Sequence, residues 1–293
     1  MKGKRLYLEP LNSIFIKVRQ ELKTAGIEEP DLEAELILSQ TMGISQALLY
    51  LNWEQGLKPS QIKKIQNWTK ARAERKPLAY IIKKAWFREI ELEVDQSVLI
   101  PRPETELLVE EAIRLIKSES GIKKILDLGT GSGAIILSLG YELKNLGPDL
   151  ELFASDISDS ALKLAKKNAR KLGLGRKIDF RNGELFKPFP KEKFHLIVCN
   201  PPYIPSNELE KLQPEVSRYE PKIALDGGKE GLKVIKEILN LAGLYLFDQG
   251  WLLLEIGLGQ VEKIKKISSP GLALKKIVKD YQGIERVVIF QRT

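Results

Sequence analysis

The sequence predicts an α/β protein in which a small helical bundle precedes a doubly wound, mostly parallel sheet. Helical periodicity dominates up to about residue 75, and apolar strands alternate with amphipathic helices from Glu104 onward. A glycine-rich turn and a proline pair directly follow two of those strands, at the positions where open α/β sheets bind their ligands. The chain is therefore expected to combine a helical domain with a ligand-binding α/β domain.

Residues 1–75 have the pattern of packed amphipathic helices. Ile14, Val18 and Leu22 recur at the spacing that places side chains on one face of a helix. Further apolar runs follow at the same spacing, and Ser60 is a favourable N-cap residue for one of them. This part of the chain is therefore predicted to be a helical bundle.

Between the two domains the sequence predicts a short β-hairpin. Lys76-Pro77 breaks the helical period, because proline lacks the backbone donor that a helix interior needs. Residues 90–94 then alternate apolar and charged side chains, as a half-buried strand does. The predicted domain boundaries are 1–75 for the helical domain, 76–98 for the hairpin linker and 99–293 for the α/β domain.

The segment Lys124–Leu128 has the pattern of a buried strand that ends in a glycine-rich turn and leads into a helix at Ala134. Glycines at alternate positions let the backbone turn sharply, and the helix amino terminus adds partial positive charge. Such turns bind nucleotide-like ligands, so an NAD site and an adenosyl site both fit here. The residues predicted to bind the cofactor are Asp127, Gly129, Thr130, Gly131, Ser132 and Gly133.

Three further residues complete the predicted cofactor site. Asp156 ends an apolar strand, where its carboxylate can accept both hydroxyls of a ribose. An alternative interpretation makes Asp156 the N-cap of the helix that starts near Ser158. After the third strand, Glu184 offers an acceptor for an adenine amino group and Leu185 offers an apolar wall.

The tetrapeptide Asn200-Pro201-Pro202-Tyr203 directly follows a buried strand that ends at Cys199. Two prolines stiffen the backbone and remove two donors, which leaves the preceding carbonyls free to accept hydrogen bonds. The Asn200 side-chain oxygen and the Pro201 carbonyl can then take both hydrogens of a planar NH2 group, while the Tyr203 ring covers one face. The simpler alternative is a rigid loop between two elements.

The glycine turn, the ribose acid and the Asn-Pro-Pro-Tyr motif together resemble class I S-adenosylmethionine-dependent methyltransferases that act on exocyclic or amide nitrogen. Upstream, the segment 101–106 (Pro-Arg-Pro-Glu-Thr-Glu) resembles the signature of the HemK-type protein-(glutamine-N5) methyltransferases. The stretches Ser217–Pro221 and Ala224–Gly228 extend the resemblance over nearly the whole chain. Lys83 departs from the pattern, since relatives often have a turn glycine there.

The resemblance implies a class I, Rossmann-like domain with a seven-stranded sheet, and S-adenosylmethionine as the cofactor with S-adenosylhomocysteine as its product. It implies methyl transfer to N5 of the glutamine in the Gly-Gly-Gln tripeptide of peptide chain release factors. The implied catalytic residues are Asn200, Pro201 and Tyr203, and Asn200 is also expected to contact the cofactor. The implied substrate contacts are Asn200, Pro201, Pro202, Tyr203, Arg102 and Thr105.

Composition limits the possible partners without choosing among them. The net charge of +8 favours an acidic partner, which is either RNA or an acidic protein surface. With one cysteine and one histidine in the chain, no metal site is expected. No segment approaches the ~20 apolar residues of a membrane span, and no signal-peptide core follows Met1–Arg5, so a cytoplasmic protein is expected.

Two functions from other classes compete with release-factor methylation, as does methylation of a ribosomal-protein glutamine. A nucleic-acid amino methyltransferase would stack a flipped base on Tyr203, and a non-catalytic adenosyl-binding module would use the helical domain as its functional part. The segment 101–106 disfavours the former, and the complete set of site residues disfavours the latter. The sequence favours a monomer that methylates release factors, requires no nucleic acid and binds no membrane.

Overall fold

The computed structural model describes residues 9–144 and 150–293. Residues 1–8, which include the segment Met1–Arg5, lie outside the described residues. The described chain divides into two compact units, and neither of them is one continuous stretch. The first unit contains the described residues up to Lys83 and Gln213–Tyr219, and the second contains those of Lys84–Leu212 and Glu220–Thr293. The domain boundaries predicted at residues 75 and 98 stay predictions.

The first unit is helical, as predicted. Its helices are α1 (Leu11–Thr24), α2 (Pro30–Met42), α3 (Gln46–Leu51), α4 (Pro59–Ala73) and α5 (Leu78–Ile82). Ile14, Val18 and Leu22 are buried together in its apolar core, as their spacing predicts. The predicted N-cap at Ser60 is wrong, because α4 already begins at Pro59, which makes Lys58 the N-cap and Ser60 the second residue of the helix.

A short segment from the second half of the sequence completes the first unit. Arg72, whose side chain is 8% exposed, pairs with Glu33 at 2.5 Å and with Glu215 at 2.8 Å. Glu215 lies in the helix Pro214–Tyr219, and the Tyr219 hydroxyl donates to the carbonyl of Glu74 at 3.0 Å. The sequence predicts this segment in the α/β domain instead, because nothing in the local pattern marks a partner 143 residues away.

The predicted hairpin consists of two three-residue strands in the second unit, β1 (Ala85–Phe87) and β2 (Ile90–Leu92), which pair antiparallel. Lys83, which replaces the glycine that relatives often have before this hairpin, adopts the left-handed conformation with φ of 59°. A lysine can adopt that conformation only at a steric cost that glycine avoids.

The second unit is built on seven further strands. They are β3 (Lys124–Leu128), β4 (Glu151–Asp156), β5 (Ile178–Asn182), β6 (Phe194–Cys199), β7 (Leu246–Glu255), β8 (Leu272–Lys279) and β9 (Glu285–Arg292). They form one sheet with the order β5-β4-β3-β6-β7-β9-β8, so the predicted sheet is confirmed. Strands β3 to β7 are parallel, whereas β9 runs antiparallel to both of its neighbours, so β8 and β9 form a hairpin at the sheet edge.

Helices cover both faces of this sheet because its strands are apolar on both sides. Neighbouring residues of β3 belong to separate apolar clusters, Ile125 to one and Leu126 to the other. The helices of the second unit are α6 (Thr105–Ser118), α7 (Ala134–Glu142), α8 (Asp159–Lys171), α10 (Lys233–Tyr245) and α11 (Val261–Ile264). The helix Pro214–Tyr219 of the first unit is α9. Within the described ranges, no helix is long and apolar enough to cross a bilayer.

Candidate active site

A cavity of about 490 Å³ opens at the carboxyl ends of the parallel strands. The strand order reverses around β3, which pairs with β4 on one side and β6 on the other, so the loops that follow these strands diverge and leave a crevice. The predicted site residues that line the cavity are Arg102, Thr105, Gly129, Thr130, Gly131, Ser132, Asp156, Glu184, Leu185, Asn200, Pro201 and Pro202. Asp127, Gly133 and Tyr203 were also predicted, but they do not line it.

The glycine turn between β3 and α7 has the backbone that only glycine adopts without strain. Gly129, Gly131 and Gly133 have φ values of 71°, 57° and 88°. A Cβ atom at Gly129 or Gly131 would meet no protein atom within 4 Å, whereas one at Gly133 would clash with Leu137 at 2.7 Å. The first two glycines thus keep space open beside the cavity, and the third lets the turn pack on its own helix.

Hydrogen bonds fasten this turn to the end of β4. The backbone N–H groups of Gly129 and Thr130 both donate to the carbonyl of Ser155, at 2.8 and 2.9 Å. The N–H of Gly131 donates to Asp156 Oδ2 at 2.9 Å. The backbone amides of the turn are therefore held in place before any ligand binds.

Asp127 lies beneath the turn and is fully buried. Its Oδ2 accepts from the Thr130 hydroxyl at 2.7 Å, while Oδ1 has no hydrogen-bond partner among the described residues. Burial raises the pKa of Asp127 to about 7, although the hydrogen bond from Thr130 favours the charged form. Asp127 therefore supports the turn from within the protein, and it does not line the cavity.

Asp156 lines the cavity, and backbone N–H groups on both sides hold its carboxylate. Besides the bond from Gly131, its Oδ1 accepts from the N–H of Ser158 at 2.8 Å. Ser158 itself caps α8 by accepting from Ala161, so the alternative interpretation of Asp156 as the N-cap is wrong. Each carboxylate oxygen keeps a second lone pair, which leaves two acceptor sites for a diol. Burial raises the pKa of Asp156.

Leu185 and Glu184 both line the cavity, and different interactions hold their side chains. Leu185 has a left-handed backbone with φ of 45°, and its carbonyl accepts from the Ser155 hydroxyl at 3.3 Å. That conformation is costly for leucine, and it fixes the apolar side chain beside the cavity. Glu184 forms a surface ion pair with Lys187 at 2.5 Å, and the hydrogen bond from Lys187 lowers the pKa of Glu184. Any further donor to the Glu184 carboxylate would share that acceptor with Lys187.

Asn200 follows β6 directly and is oriented by the first residue of α6. Its Nδ2 donates to Thr105 Oγ1 at 3.0 Å, which identifies the other side-chain atom, Oδ1, as the one left free to accept. The backbone carbonyls of Asn200 and Pro201 receive no hydrogen bond from the part of the chain that the structure describes. Three acceptor oxygens are thus available at one end of the cavity.

Tyr203 occupies a different environment from the one expected for it. Its hydroxyl donates to Glu255 Oε1 at 3.1 Å, and its backbone carbonyl accepts from Gln260 Nε2 at 2.9 Å. Burial, together with the nearby Glu255 carboxylate, raises the pKa of Tyr203 well above its usual value. The ring packs against the apolar cluster below the sheet ends, so in this structure it forms part of the support of the loop.

Arg102 lines the cavity, and its guanidinium group forms an ion pair with Glu220. Its Nη2 donates to Glu220 Oε1 at 2.6 Å, and the other oxygen of this buried carboxylate accepts from the N–H of Ile100 at 3.4 Å. Burial raises the pKa of Glu220, against the lowering influence of Arg102. This ion pair connects segment 101–106, which contains Arg102, with the stretch 217–221, which contains Glu220.

Comparison with known proteins decides the family. Residues 14–82 match the family described as PrmC N-terminal domain, and residues 119–246 match a methyltransferase domain family. A release factor glutamine methyltransferase of Geobacter sulfurreducens is 39% identical over 271 residues, which are 92% of this chain and 92% of that protein. The enzyme of the same name from Fusobacterium nucleatum is 38% identical, over 100% of this chain and 82% of its own length. The chain belongs to the release factor glutamine methyltransferases.

A solved structure supports the fold of this release factor glutamine methyltransferase. The hMettl16 catalytic domain, in complex with MAT2A 3'UTR hairpin 6, superimposes with a TM-score of 0.53 over 80% of this chain and 82% of that one. At 16% sequence identity, this likeness concerns the fold alone. The class I methyltransferase fold is confirmed.

The site of this methyltransferase fits an adenosyl cofactor. The open space above Gly129 and Gly131 lets a ligand approach the backbone, and Asp156 still offers two acceptor positions for a ribose. Leu185 adds an apolar side chain to the cavity lining. Among the described residues, no cluster of three or more His, Cys, Asp and Glu side chains could hold a metal ion.

Several lining residues of this methyltransferase were not predicted. Ile157, directly after Asp156, is 51% exposed although it is apolar, and an apolar residue in that loop is the signal that could have found it. The loop after β6 returns to the cavity through Lys222, Ile223 and Asp226. The family stretches around these residues are recognisable in the sequence, but spacing alone gives no reason to place them beside a cofactor.

Proposed function

We propose that this protein transfers the methyl group of S-adenosylmethionine to the side-chain N5 of the glutamine in the Gly-Gly-Gln tripeptide of peptide chain release factors. S-adenosylhomocysteine is the other product. The observation that carries the proposal is the free Oδ1 of Asn200, held by Thr105 beside the unengaged carbonyl of Pro201 at the end of the cavity. Membership of the release factor glutamine methyltransferases supports the choice of substrate.

The two acceptors match the hydrogen-bonding needs of a primary amide. An amide NH2 has two donors, and Asn200 Oδ1 and the Pro201 carbonyl can take one each. Amide nitrogen is a poor nucleophile because its lone pair is delocalised into the carbonyl. Acceptors on both N–H groups favour the more electron-rich nitrogen and hold it in line for attack, which is the kind of orientation that lowers a barrier by roughly 7 kcal/mol or more.

The bound cofactor supplies an electrophilic methyl group on a positively charged sulfur, which leaves as a neutral thioether. Gly129 and Gly131 would hold it along the turn, and Asp156 would accept its ribose hydroxyls. As the N–C bond forms, one amide proton must leave. Asn200 Oδ1 and the Pro201 carbonyl would already accept hydrogen bonds from both N–H groups of the amide. One of these oxygens would therefore pass the released proton on to water.

The same proposal assigns substrate recognition to the helical domain, residues 1–75, followed by a linker over 76–98 and a catalytic domain over 99–293. The reaction as proposed requires one copy of the chain, no nucleic acid and no metal. Release factors work in translation, which supports a cytoplasmic location for the reaction.

A direct test is to incubate the purified protein with methyl-labelled S-adenosylmethionine and separate pools of release factor, ribosomal protein and RNA. We expect label on the release factor alone, within the tryptic peptide that contains Gly-Gly-Gln. The matched control is the same factor with Gln→Asn in that tripeptide, whose shorter side chain should not reach the acceptors. Label in the RNA pool, or equal labelling of the control factor, would overturn the proposal.

A further inference from the structure

Gln260 connects three loops at the carboxyl ends of the parallel strands. Its Nε2 donates to the carbonyl of Tyr203 at 2.9 Å and to the carbonyl of Gly231 at 3.2 Å. Its Oε1 accepts from the N–H of Gly257 at 2.9 Å. These partners lie in the loop that follows β6, in the segment that precedes α10 and in the turn that follows β7. Both Nε2 protons of Gln260 are thus donated to backbone carbonyls.

The Gln260 side chain reaches Tyr203 from inside the protein. It is 6% exposed, and it does not line the cavity. Among the described residues, the carbonyl of Tyr203 receives no other hydrogen bond. Gln260 can therefore affect a ligand in the cavity only through the loops to which it is bonded.

Two glycines leave the space in which Gln260 and Tyr203 meet. A Cβ atom at Gly231 would lie 2.1 Å from the carbonyl oxygen of Tyr203, and one at Gly257 would lie 3.1 Å from Cδ2 of the Tyr203 ring. The hydroxyl of the same tyrosine donates to Glu255 Oε1 at 3.1 Å. Tyr203 is thus held both at its backbone carbonyl and at the end of its side chain.

The position of Tyr203 determines where the Pro201 carbonyl points. Pro201 and Pro202 have φ fixed near about −65° and no backbone N–H, so few torsions remain free between the two ends of the tetrapeptide. Thr105 Oγ1 accepts from Asn200 Nδ2 at 3.0 Å at one end. Gln260 holds the carbonyl of Tyr203 at the other end. A shift of Tyr203 would therefore turn the Pro201 carbonyl as well.

We propose that Gln260 is a positioning residue for methyl transfer, which holds the Tyr203 carbonyl so that the Pro201 carbonyl faces the reacting amide. The inference rests on the proposed function, because it explains how an acceptor of that reaction is kept in place. A carboxamide suits the role, since it offers two donors and an acceptor on one planar group. A carboxylate at this position could only accept, and a thioether could not donate.

Steady-state methyl transfer to a Gly-Gly-Gln peptide tests the role. Gln260→Met keeps the side-chain length and removes both donors, so kcat should fall roughly 10- to 100-fold. The KM for the peptide and the Kd for S-adenosylmethionine should change less than about threefold. Rates are expressed per cofactor-binding site, counted by calorimetry, so that unfolded protein does not lower kcat.

Gln291→Met is the matched control. The Nε2 of Gln291 also donates to a backbone carbonyl, that of Gln249 at 3.2 Å, and neither residue lines the cavity. The same loss of a glutamine donor at this place should leave kcat within about twofold of wild type.

Gln260→Glu separates hydrogen bonding from packing by its pH dependence. The ionised carboxylate would face two carbonyl oxygens, whereas the protonated carboxyl group can donate to the Tyr203 carbonyl and accept from Gly257. Burial raises the pKa of a carboxyl group, so protonation occurs in a usable pH range. Relative to wild type, kcat of Gln260→Glu should rise about fivefold or more between about pH 9 and about pH 6. The same ratio for Gln260→Met should stay constant, and Gln260→Glu at low pH supplies a folded variant should the methionine variant not fold.

A carbonyl carbon signal measures the hold on Tyr203 directly. Tyrosine precedes isoleucine at two places in the chain, at 80–81 and at 203–204. Protein with ¹³C-carbonyl tyrosine and ¹⁵N isoleucine should therefore give two signals in an HNCO spectrum, which Ile81→Val assigns. In Gln260→Met the Tyr203 signal should move upfield, because its carbonyl loses its donor, while the Tyr80 signal should stay in place as an internal control. These spectra need no methyl transfer and no bound cofactor.

The outcomes separate the two proposals. If wild type methylates no glutamine but the Tyr203 signal moves as described, the proposed function fails, and the hold of Gln260 on the loop stands. If wild type methylates the peptide while both Gln260 variants keep the wild-type kcat at every pH, the positioning role is wrong. A fall in kcat with an unchanged Tyr203 signal, or a Gln260→Glu ratio that does not vary with pH, would also overturn it.

Discussion

The backbone N–H of Gly131 donates to Asp156 Oδ2 at 2.9 Å, so the glycine turn after β3 and the acid at the end of β4 form one hydrogen-bonded unit. The carboxylate proposed to bind the ribose also holds the backbone that must make room for the rest of the cofactor. A change at either residue is therefore expected to affect the other. This coupling requires controls that separate strain in the turn from loss of ligand contacts.

Gly131→Ala should weaken S-adenosylmethionine binding about 10- to 100-fold, because the added methyl group enters the open space that the ligand needs. Isothermal calorimetry measures the Kd. Gly173→Ala is the matched control, since Gly173 also has a positive φ, a Cβ added there would meet no atom within 4 Å, and the residue does not line the cavity. Equal affinities in the two variants would show that the turn does not hold the cofactor.

Asn200→Ala should lower single-turnover methyl transfer to a release factor by about 10² to 10³. It removes an acceptor that acts mainly in the transition state, so the Kd for S-adenosylmethionine should change much less. Asn240→Ala, at an exposed position of α10 that does not line the cavity, is the control and should keep the wild-type rate. A wild-type rate for Asn200→Ala would mean that the tetrapeptide is merely a rigid loop.

Glu215→Gln should destabilise the first unit by about 2 kcal/mol or more. Glu215 neutralises Arg72, whose side chain is nearly buried, and it also accepts from Arg75 Nη2 at 2.9 Å. Urea unfolding of the full chain gives the free energy. Glu262→Gln breaks a pair with Lys265 that is exposed to solvent, so it should leave the free energy of unfolding nearly unchanged. Equal costs would contradict a structural role for the Arg72 pair.

Asp127 should make the protein less stable as the pH rises from about 4 toward 7. Its pKa is raised to about 7 in the folded state, so the folded protein binds a proton there that the unfolded chain releases near its ordinary value. Asp127→Asn cannot titrate, so the stability of wild type relative to this variant should fall across that range. Urea unfolding at several pH values measures this difference.

Lys83→Gly should stabilise the protein by about 0.5 to 1 kcal/mol, because glycine avoids the steric cost of the left-handed conformation. The larger conformational entropy that glycine loses on folding offsets only part of this gain. Lys63→Gly, in the middle of α4, should instead destabilise by about 1 kcal/mol. Thermal unfolding of both variants measures the two shifts. A loss of stability in Lys83→Gly would show that the lysine side chain contributes more than its backbone conformation costs.

The sequence predicts what depends on local pattern. Alternating apolar residues located the strands, glycines at alternate positions located the turn, and a carboxylate at a strand end located Asp156. Contacts between residues that are far apart in the sequence have no such local pattern. The bond from Tyr203 to Glu255 spans 52 residues and depends on which strands become neighbours, so the tyrosine was expected to cover the substrate. Nothing near Arg102 indicates its ion pair with the buried carboxylate of Glu220, and its expected contact with the substrate stays a prediction.

Residues 213–219 leave the α/β unit, complete the helical one and return, so the polypeptide passes between the two units three times. A gene fragment that ends at Lys83 would therefore encode a helical unit without Glu215, and the remaining fragment would carry an orphaned helix. Exchange of the helical unit between relatives by recombination would need two coordinated replacements. We therefore expect the first 83 residues and residues 213–219 to be inherited together, with a change in one segment matched by compensating changes in the other.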